Sequence, residues 1–190
     1  MNQFRNYWYQ PMIAHDANFN HKRKMTPAKR LVITALLGSL AAIFQSAGNL
    51  IPGIGLFISP FATLPIFFAI CYSTRTGILS YILTILLLFI IEPSELIVFP
   101  FTTGLLGIAL GVSFIQFKRR IWIVSFSAIC LLLGIMIVLD IFRFPVLGPT
   151  VHTTLDIKII LLIFILSFLY CWIYAGICKI MLNRVYKAWS

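Results

Sequence analysis

Long apolar runs separated by short polar breaks constrain this chain more than any other feature of its sequence. The six runs lie at 31–48, 61–72, 78–91, 96–117, 121–139 and 157–181. A bilayer core needs roughly 20 apolar residues per crossing helix, and a helix satisfies its own backbone hydrogen bonds there. The sequence therefore predicts an all-α membrane protein with six transmembrane helices.

The composition supports this class. Hydrophobic residues make up 61% of the 190 residues and charged residues only 11%, whereas about a quarter of a soluble domain is charged. We expect cytoplasmic tails at 1–30 and 183–190 around a membrane domain at 31–182, with no added soluble domain. No secretory signal peptide is recognisable, so the first helix is expected to direct its own insertion.

The cations are distributed very unevenly over this arrangement. Thirteen of the fifteen Lys and Arg residues fall on one side of the six runs, and only Arg143 and Lys158 fall on the other. Basic residues collect on the cytoplasmic side of membrane proteins, so both termini are expected in the cytoplasm. This asymmetry explains the net charge of +10. We therefore expect no nucleic acid as a partner. The expected location is the plasma membrane of a bacterium.

A polar notch, Glu92-Pro93-Ser94-Glu95, interrupts two apolar runs at the opposite, outer face. Four of the five acidic residues fall on that face, and charge at a membrane boundary is costly unless it serves topology or function. Glu92 and Glu95 either stabilise the start of the fourth helix through its dipole or contact a ligand. Both interpretations stay open.

The stretch 50–60 is apolar but contains two prolines and two glycines, which disfavour a regular helix. We expect an irregular, lid-like loop between helices one and two. The run after it is short and contains Pro65, and interrupted short segments point to transporter binding sites. Three irregular segments are therefore expected at the outer face: the lid-like loop, the polar notch and the loop at 140–156.

These segments supply the candidate substrate-binding residues. Polar side chains would contact the ligand, and phenylalanines would form apolar or stacking walls. Arg143 and His152 have the alternative of being ordinary loop residues, and Asp156 that of capping helix six. The candidates are Asn49, Phe57, Phe61, Glu92, Glu95, Asp140, Arg143, Phe144, His152 and Asp156.

Small residues recur on the first helix. Ala35 with Ser39, and Gly38 with Ala42, are spaced four apart and let a second helix approach closely. Because the sequence does not say which face turns inward, either pair could pack inside the bundle or against another subunit.

The pattern over 31–111 resembles the substrate-binding S components of energy-coupling factor (ECF) vitamin transporters. The resemblance is carried by Ala35 and Ser39, Ile51-Pro52-Gly53, Leu64-Pro65-Ile66, Arg75-Thr76-Gly77 and a glycine-rich fourth helix. It implies a subunit that captures a vitamin-like small molecule under the first loop. It also implies a coupling transmembrane subunit and ATPase subunits as partners. The family docks through an alanine pair, which Ala35 and Ser39 match with one alanine replaced.

Two other functions stay open: an accessory or assembly membrane protein without a ligand, and, less favoured, an intramembrane enzyme. An enzyme needs an acid–base or metal cluster, but His15 and His21 fall in the tail and His152 in an outer loop. No HExxH, GxSxG or Walker motif is present, so transport energy would come from partner chains. We expect no enzymatic activity, cofactor or metal, and the four cysteines are expected to be buried apolar side chains.

Overall fold

The structure is a computed structural model that describes residues 8, 26–51, 53–140 and 157–189. Short turns and long helices alternate along this part of the chain. They are α1 (Pro27–Leu50), α2 (Gly55–Ile58), a 3-10 turn (Ser59–Ala62), α3 (Thr63–Tyr72), α4 (Thr74–Ile91), α5 (Glu95–Phe101), α6 (Thr103–Gln116), α7 (Arg120–Asp140) and α8 (Ile157–Trp189).

Six helical segments are long and apolar enough to cross a membrane, and the described residues contain no strand. This confirms the predicted all-helical, six-span class. The segments are Pro27–Leu50, Gly55–Tyr72, Thr74–Ile91, Glu95–Gln116, Arg120–Asp140 and Ile160–Val185.

The second span begins earlier than the sequence predicts, at Gly55 instead of residue 61. Residues 55–62, which were expected to belong to an irregular loop, form helical turns instead. These turns satisfy backbone groups that would otherwise be unpaired at membrane depth. Pro60 and Pro65 are tolerated in first turns, where no intrahelical bond needs their amide. Gly55 is buried so closely against α1 that a Cβ would overlap the Ala47 carbonyl oxygen.

The fourth span is divided into two helices, whereas the apolar run at 96–117 predicts one. Pro100 lies inside α5 and has no amide hydrogen to donate. α5 ends at Phe101, Thr102 adopts φ −117 and ψ −96, and α6 begins at Thr103. The Tyr81 hydroxyl on α4 donates to the Pro100 carbonyl at 3.0 Å, which holds the break against the neighbouring helix.

Helices α1 and α4 approach closely because one side of α1 is small. A Cβ on Gly38 would lie 3.1 Å from the Ser80 carbonyl oxygen. Ser80 Oγ on α4 donates to the Thr34 carbonyl on α1 at 3.3 Å. Thr84 Oγ1 lies 3.0 Å from the Gly38 carbonyl oxygen on α1 and 2.8 Å from that of Ser80 in its own helix, and its one hydrogen is shared between them. Such bonds hold helices together where lipid is as apolar as the side chains.

The two small-residue pairs on α1 therefore have different environments. Gly38 and Ala42 are buried against the bundle, whereas Ala35 is exposed and Ser39 is half-buried. Of the two pairs, only Ala35 and Ser39 face outward, where another helix can reach them.

The core lies between α3, α6, α7 and α8. Phe67 and Phe114 meet edge to face with ring centroids 5.1 Å apart, a favourable aromatic geometry. Gly134 on α7 lets that helix contact the backbone at Phe101, since a Cβ there would overlap the Phe101 carbonyl oxygen. This contact brings α7 against the break in the fourth span.

Candidate functional site

A chain of polar side chains, two of them buried and the third, Thr103, half-buried, joins α1 to both halves of the broken span. Gln45 Nε2 donates to Glu95 Oε2 at 2.7 Å, and Thr103 Oγ1 donates to Gln45 Oε1 at 2.7 Å. Gln45 is 1% exposed and Glu95 is 9% exposed. We call these three residues the buried polar chain. The Gln45 amide donates through its nitrogen and accepts through its oxygen, so the bond to Thr103 fixes which end of the amide faces Glu95.

A second, more exposed set of bonds lies one helical turn along α1. Asn49 Nδ2 donates to Ser94 Oγ at 2.7 Å, and Ser94 Oγ donates to Glu92 Oε1 at 2.7 Å. Asn49 follows Gln45 by four residues and shares its face of the helix. Of the predicted site residues, the structure thus brings Asn49, Glu92 and Glu95 together around one corner of the bundle.

A cavity of about 230 Å³ lies between the broken span, α7 and α8. Its wall contains hydroxyl groups but no charged side chain. We call it the Ser167 cavity. The lining residues are Val98, Thr102, Thr103, Leu106, Leu131, Ile135, Ile163, Leu166, Ser167 and Tyr170.

The hydroxyls of this wall differ in their hydrogen bonds. A hydroxyl has one hydrogen to donate; Thr102 donates its hydrogen to the Val98 carbonyl at 2.7 Å, and Thr103 donates to Gln45. Ser167 is 2% exposed and its Oγ has no hydrogen-bond partner. Tyr170 stacks on Tyr174 with centroids 4.5 Å apart. The wall therefore carries four hydroxyls: those of Thr102 and Thr103, which have donated their hydrogens, the phenol of Tyr170, which interacts with Tyr174, and that of Ser167, which is unpaired.

Other buried hydroxyls in the described part of the chain also have no partner, namely those of Thr34, Thr63 and Thr76. None of those three lines the Ser167 cavity. Ser167 is therefore the buried, unpaired hydroxyl that stands next to space for a ligand.

The predicted phenylalanines lie elsewhere. Phe57 is 79% exposed and Phe61 is 44% exposed, and neither lines the Ser167 cavity. Phe61 lines a separate groove of about 430 Å³ between α1, the second span and α8. The lining of that groove is entirely apolar: Leu37, Leu40, Phe44, Phe61, Leu64, Pro65, Phe68, Ile177, Ile180 and Met181.

The remaining predicted residues belong to the segment between α7 and α8. Asp140 is exposed at the last position of α7. Arg143, Phe144, His152 and Asp156 lie outside the described residues.

Sequence reasoning missed the residues that link the site together: Gln45, Thr102, Thr103, Ser167 and Tyr170. One signal was present for Gln45, which precedes Asn49 by four residues and so shares a face with a predicted contact. Ser167 is the one serine in the long apolar run 157–181, which also contains Tyr170 and Tyr174. Nothing in such a run indicates which side faces a cavity.

Within the described ranges, no group of three or more His, Cys, Asp or Glu residues comes together. The thiols of Cys71, Cys171 and Cys178 are free and buried, and that of Cys130 is half-buried.

Comparisons of the chain with protein-family models, curated proteins and solved structures find no match.

Proposed function

We propose that this chain is the substrate-capture membrane subunit of an ATP-driven uptake transporter of the energy-coupling factor kind. It binds a vitamin-like small molecule near the outer face and passes it to partner chains. The observation that carries the proposal is the Ser167 cavity, a partly open site between helices beside an interrupted span. Ligand sites in helical bundles are mainly apolar with a few polar groups, and interrupted helices are typical of transporter sites.

The charge distribution supports binding from outside. With the basic side of the chain in the cytoplasm, Glu92, Glu95 and Asp140 belong to the outer boundary of a bacterial plasma membrane. Ile135 precedes Asp140 by little more than one helical turn, and Thr103 follows Glu95 by roughly two turns. The cavity would then lie in the outer half of the bundle.

In this proposal the outer polar residues form the entrance. Glu92 and Asn49 hold the notch against α1, and Glu95 anchors the broken span through Gln45. Asp140 leads into the segment that carries the other candidate contacts, Arg143, Phe144, His152 and Asp156. Phe57 and Phe61 remain candidates for the lid side of the entrance and would have to move to reach a ligand.

The exposed pair Ala35 and Ser39 is the proposed docking face for the coupling subunit. Small side chains allow close helix contact, and Gly38 and Ala42 are already buried by this chain's own helices. ATPase subunits would supply the energy.

The test is purification of tagged protein from its native membranes, with mass spectrometry of co-purifying chains. Ala35→Trp is compared with Ile129→Trp, since Ile129 is 50% exposed on α7, a different helix from the docking pair. We expect a membrane subunit and ATPases to co-purify with the wild type and Ile129→Trp, and to be lost from Ala35→Trp. If no ATPase co-purifies with the wild type, the transporter assignment is wrong.

The exposed pair also fits an accessory protein that packs against a partner without binding a ligand. Mass spectrometry of small molecules released from the purified protein separates the two functions. A retained molecule that disappears when the Ser167 cavity is filled supports capture. An unrelated partner chain and no retained molecule support the accessory function.

A further inference from the structure

We infer that the Ser167 cavity takes a neutral, mainly apolar ligand with one hydrogen-bonding group placed against Ser167. The inference rests on the proposed function, because it names the ligand class of the same site.

The cavity offers no countercharge. Its lining residues are aliphatic, aromatic or hydroxyl-bearing, and moving an unpaired charge into such a site is strongly unfavourable. Glu95 is the carboxyl group of the buried polar chain, but it does not line the cavity, and its Oε2 already accepts from Gln45. A charged ligand would therefore lose its hydration without gaining a partner.

The wall has four hydroxyls, and three of them already interact with protein groups. The Tyr170 phenol interacts with that of Tyr174. Thr102 and Thr103 have both donated their hydrogens, to Val98 and Gln45, so only oxygen lone pairs remain. Ser167 can both donate and accept, and its Oγ has no protein partner. An unpaired buried hydroxyl destabilises a protein, and a ligand group that bonds to it removes that penalty. One polar group on the ligand is enough to pair the Ser167 hydroxyl.

The size of the cavity limits the apolar part of the ligand. At about 230 Å³, it is smaller than the roughly 300–1,000 Å³ usual for drug-sized ligands. A single or fused pair of rings fits this space, and Tyr170 in the wall provides an aromatic surface for offset stacking.

Three fluorinated probes that share one ring system test the charge requirement. They are fluoroindole, which is neutral with one N–H group, fluorotryptamine, which is a cation, and fluoroindole carboxylate, which is an anion. Binding is measured by fluorine NMR with the full chain in lipid nanodiscs, and empty nanodiscs give the contribution of lipid partitioning. We expect saturable binding of fluoroindole, and affinities at least about tenfold weaker for both charged probes.

Two pairs of variants locate the binding. Ile135→Trp fills the cavity and should abolish binding, whereas Leu133→Trp, whose parent side chain is 57% exposed, should leave it unchanged. Ser167→Ala should weaken fluoroindole binding about tenfold, whereas Ser46→Ala removes a hydroxyl that lies outside the cavity and bonds to the Ile43 carbonyl, and it should have no effect.

The results separate the ligand class from the site. If a charged probe binds as tightly as fluoroindole and Ile135→Trp abolishes that binding, the neutral class is wrong and the capture site stands. If Ser167→Ala binds fluoroindole as tightly as wild type, the role of Ser167 is wrong. If no probe binds at millimolar concentration, or if binding survives Ile135→Trp, both the ligand class and the proposed capture site are wrong.

Discussion

Replacing Gln45 with leucine tests whether the buried polar chain holds the broken span against α1. Gln45 is fully enclosed and bonds to Glu95 and Thr103 through opposite ends of its amide. Leucine is close to glutamine in size, so the substitution removes both bonds with little change in packing volume. It also leaves the Glu95 carboxyl group buried without its donor.

Two kinds of measurement bound the expected loss of stability. Hydrogen bonds between membrane helices contribute about 0.6 kcal/mol on average and at most about 1.7 kcal/mol. Leaving a buried polar group unpaired costs about 1–3 kcal/mol, and more when the group is charged. Because Gln45→Leu breaks two bonds and strands a carboxyl group, we expect a loss of about 2–4 kcal/mol.

The assay is reversible unfolding in mixed micelles, followed by tryptophan fluorescence and circular dichroism. Ser39→Ala is the matched control on the same helix, since the Ser39 hydroxyl bonds only within its own turn, to the Leu36 carbonyl. It should change stability by less than about 0.5 kcal/mol. Combining Gln45→Leu with Glu95→Leu should destabilise less than the sum of the two single changes, because the stranded carboxyl group is gone. A loss below about 0.5 kcal/mol for Gln45→Leu alone would refute the anchoring function.

Three further predictions address other parts of the molecule. Ser167→Ala should stabilise the ligand-free protein by about 1 kcal/mol in thermal unfolding, because it removes an unpaired buried hydroxyl; a destabilised variant would mean that Ser167 has a structural partner. Gly134→Ala should lower the free energy of unfolding by about 1–3 kcal/mol, because the added Cβ overlaps a backbone carbonyl. Gly176→Ala, where the nearest contact is at 3.5 Å, should be neutral or stabilising. Equal effects of the two substitutions would contradict the close contact of α7. In intact cells, an impermeant thiol reagent should label Asp140→Cys but not Arg75→Cys, and the reverse pattern would invert the proposed orientation.

The class and the number of spans were predictable from the sequence because the cost of burying unpaired backbone in lipid leaves few alternatives. The position of the second span was less predictable. Two prolines and two glycines at 50–60 argued against a helix, yet Pro60 occupies a first turn and Gly55 allows contact with Ala47. Proline and glycine disfavour the interior of a helix, but here they lie in first turns or at a close contact between helices.

The inward faces of the helices were not predictable in the same way. In a soluble protein, polarity marks the outer face, but lipid and protein core are equally apolar. The sequence therefore could not distinguish the buried pair Gly38 and Ala42 from the outward pair Ala35 and Ser39. The same ambiguity hid Gln45, whose partner Glu95 lies fifty positions away and is recognised only when α1 and α5 are in contact.

Glu95 and Ser167 show how structural and functional polarity can be separated in such a bundle. Each polar group costs free energy inside the membrane, and an apolar residue would avoid that cost. For Glu95 the protein itself offsets the cost, since Gln45 donates to the carboxyl group and is fixed in turn by Thr103. For Ser167 no protein group does so, although the residue borders space that can hold a ligand. A polar group paired by its own chain needs no further explanation, whereas one left unpaired beside a cavity is best explained by a ligand that completes it.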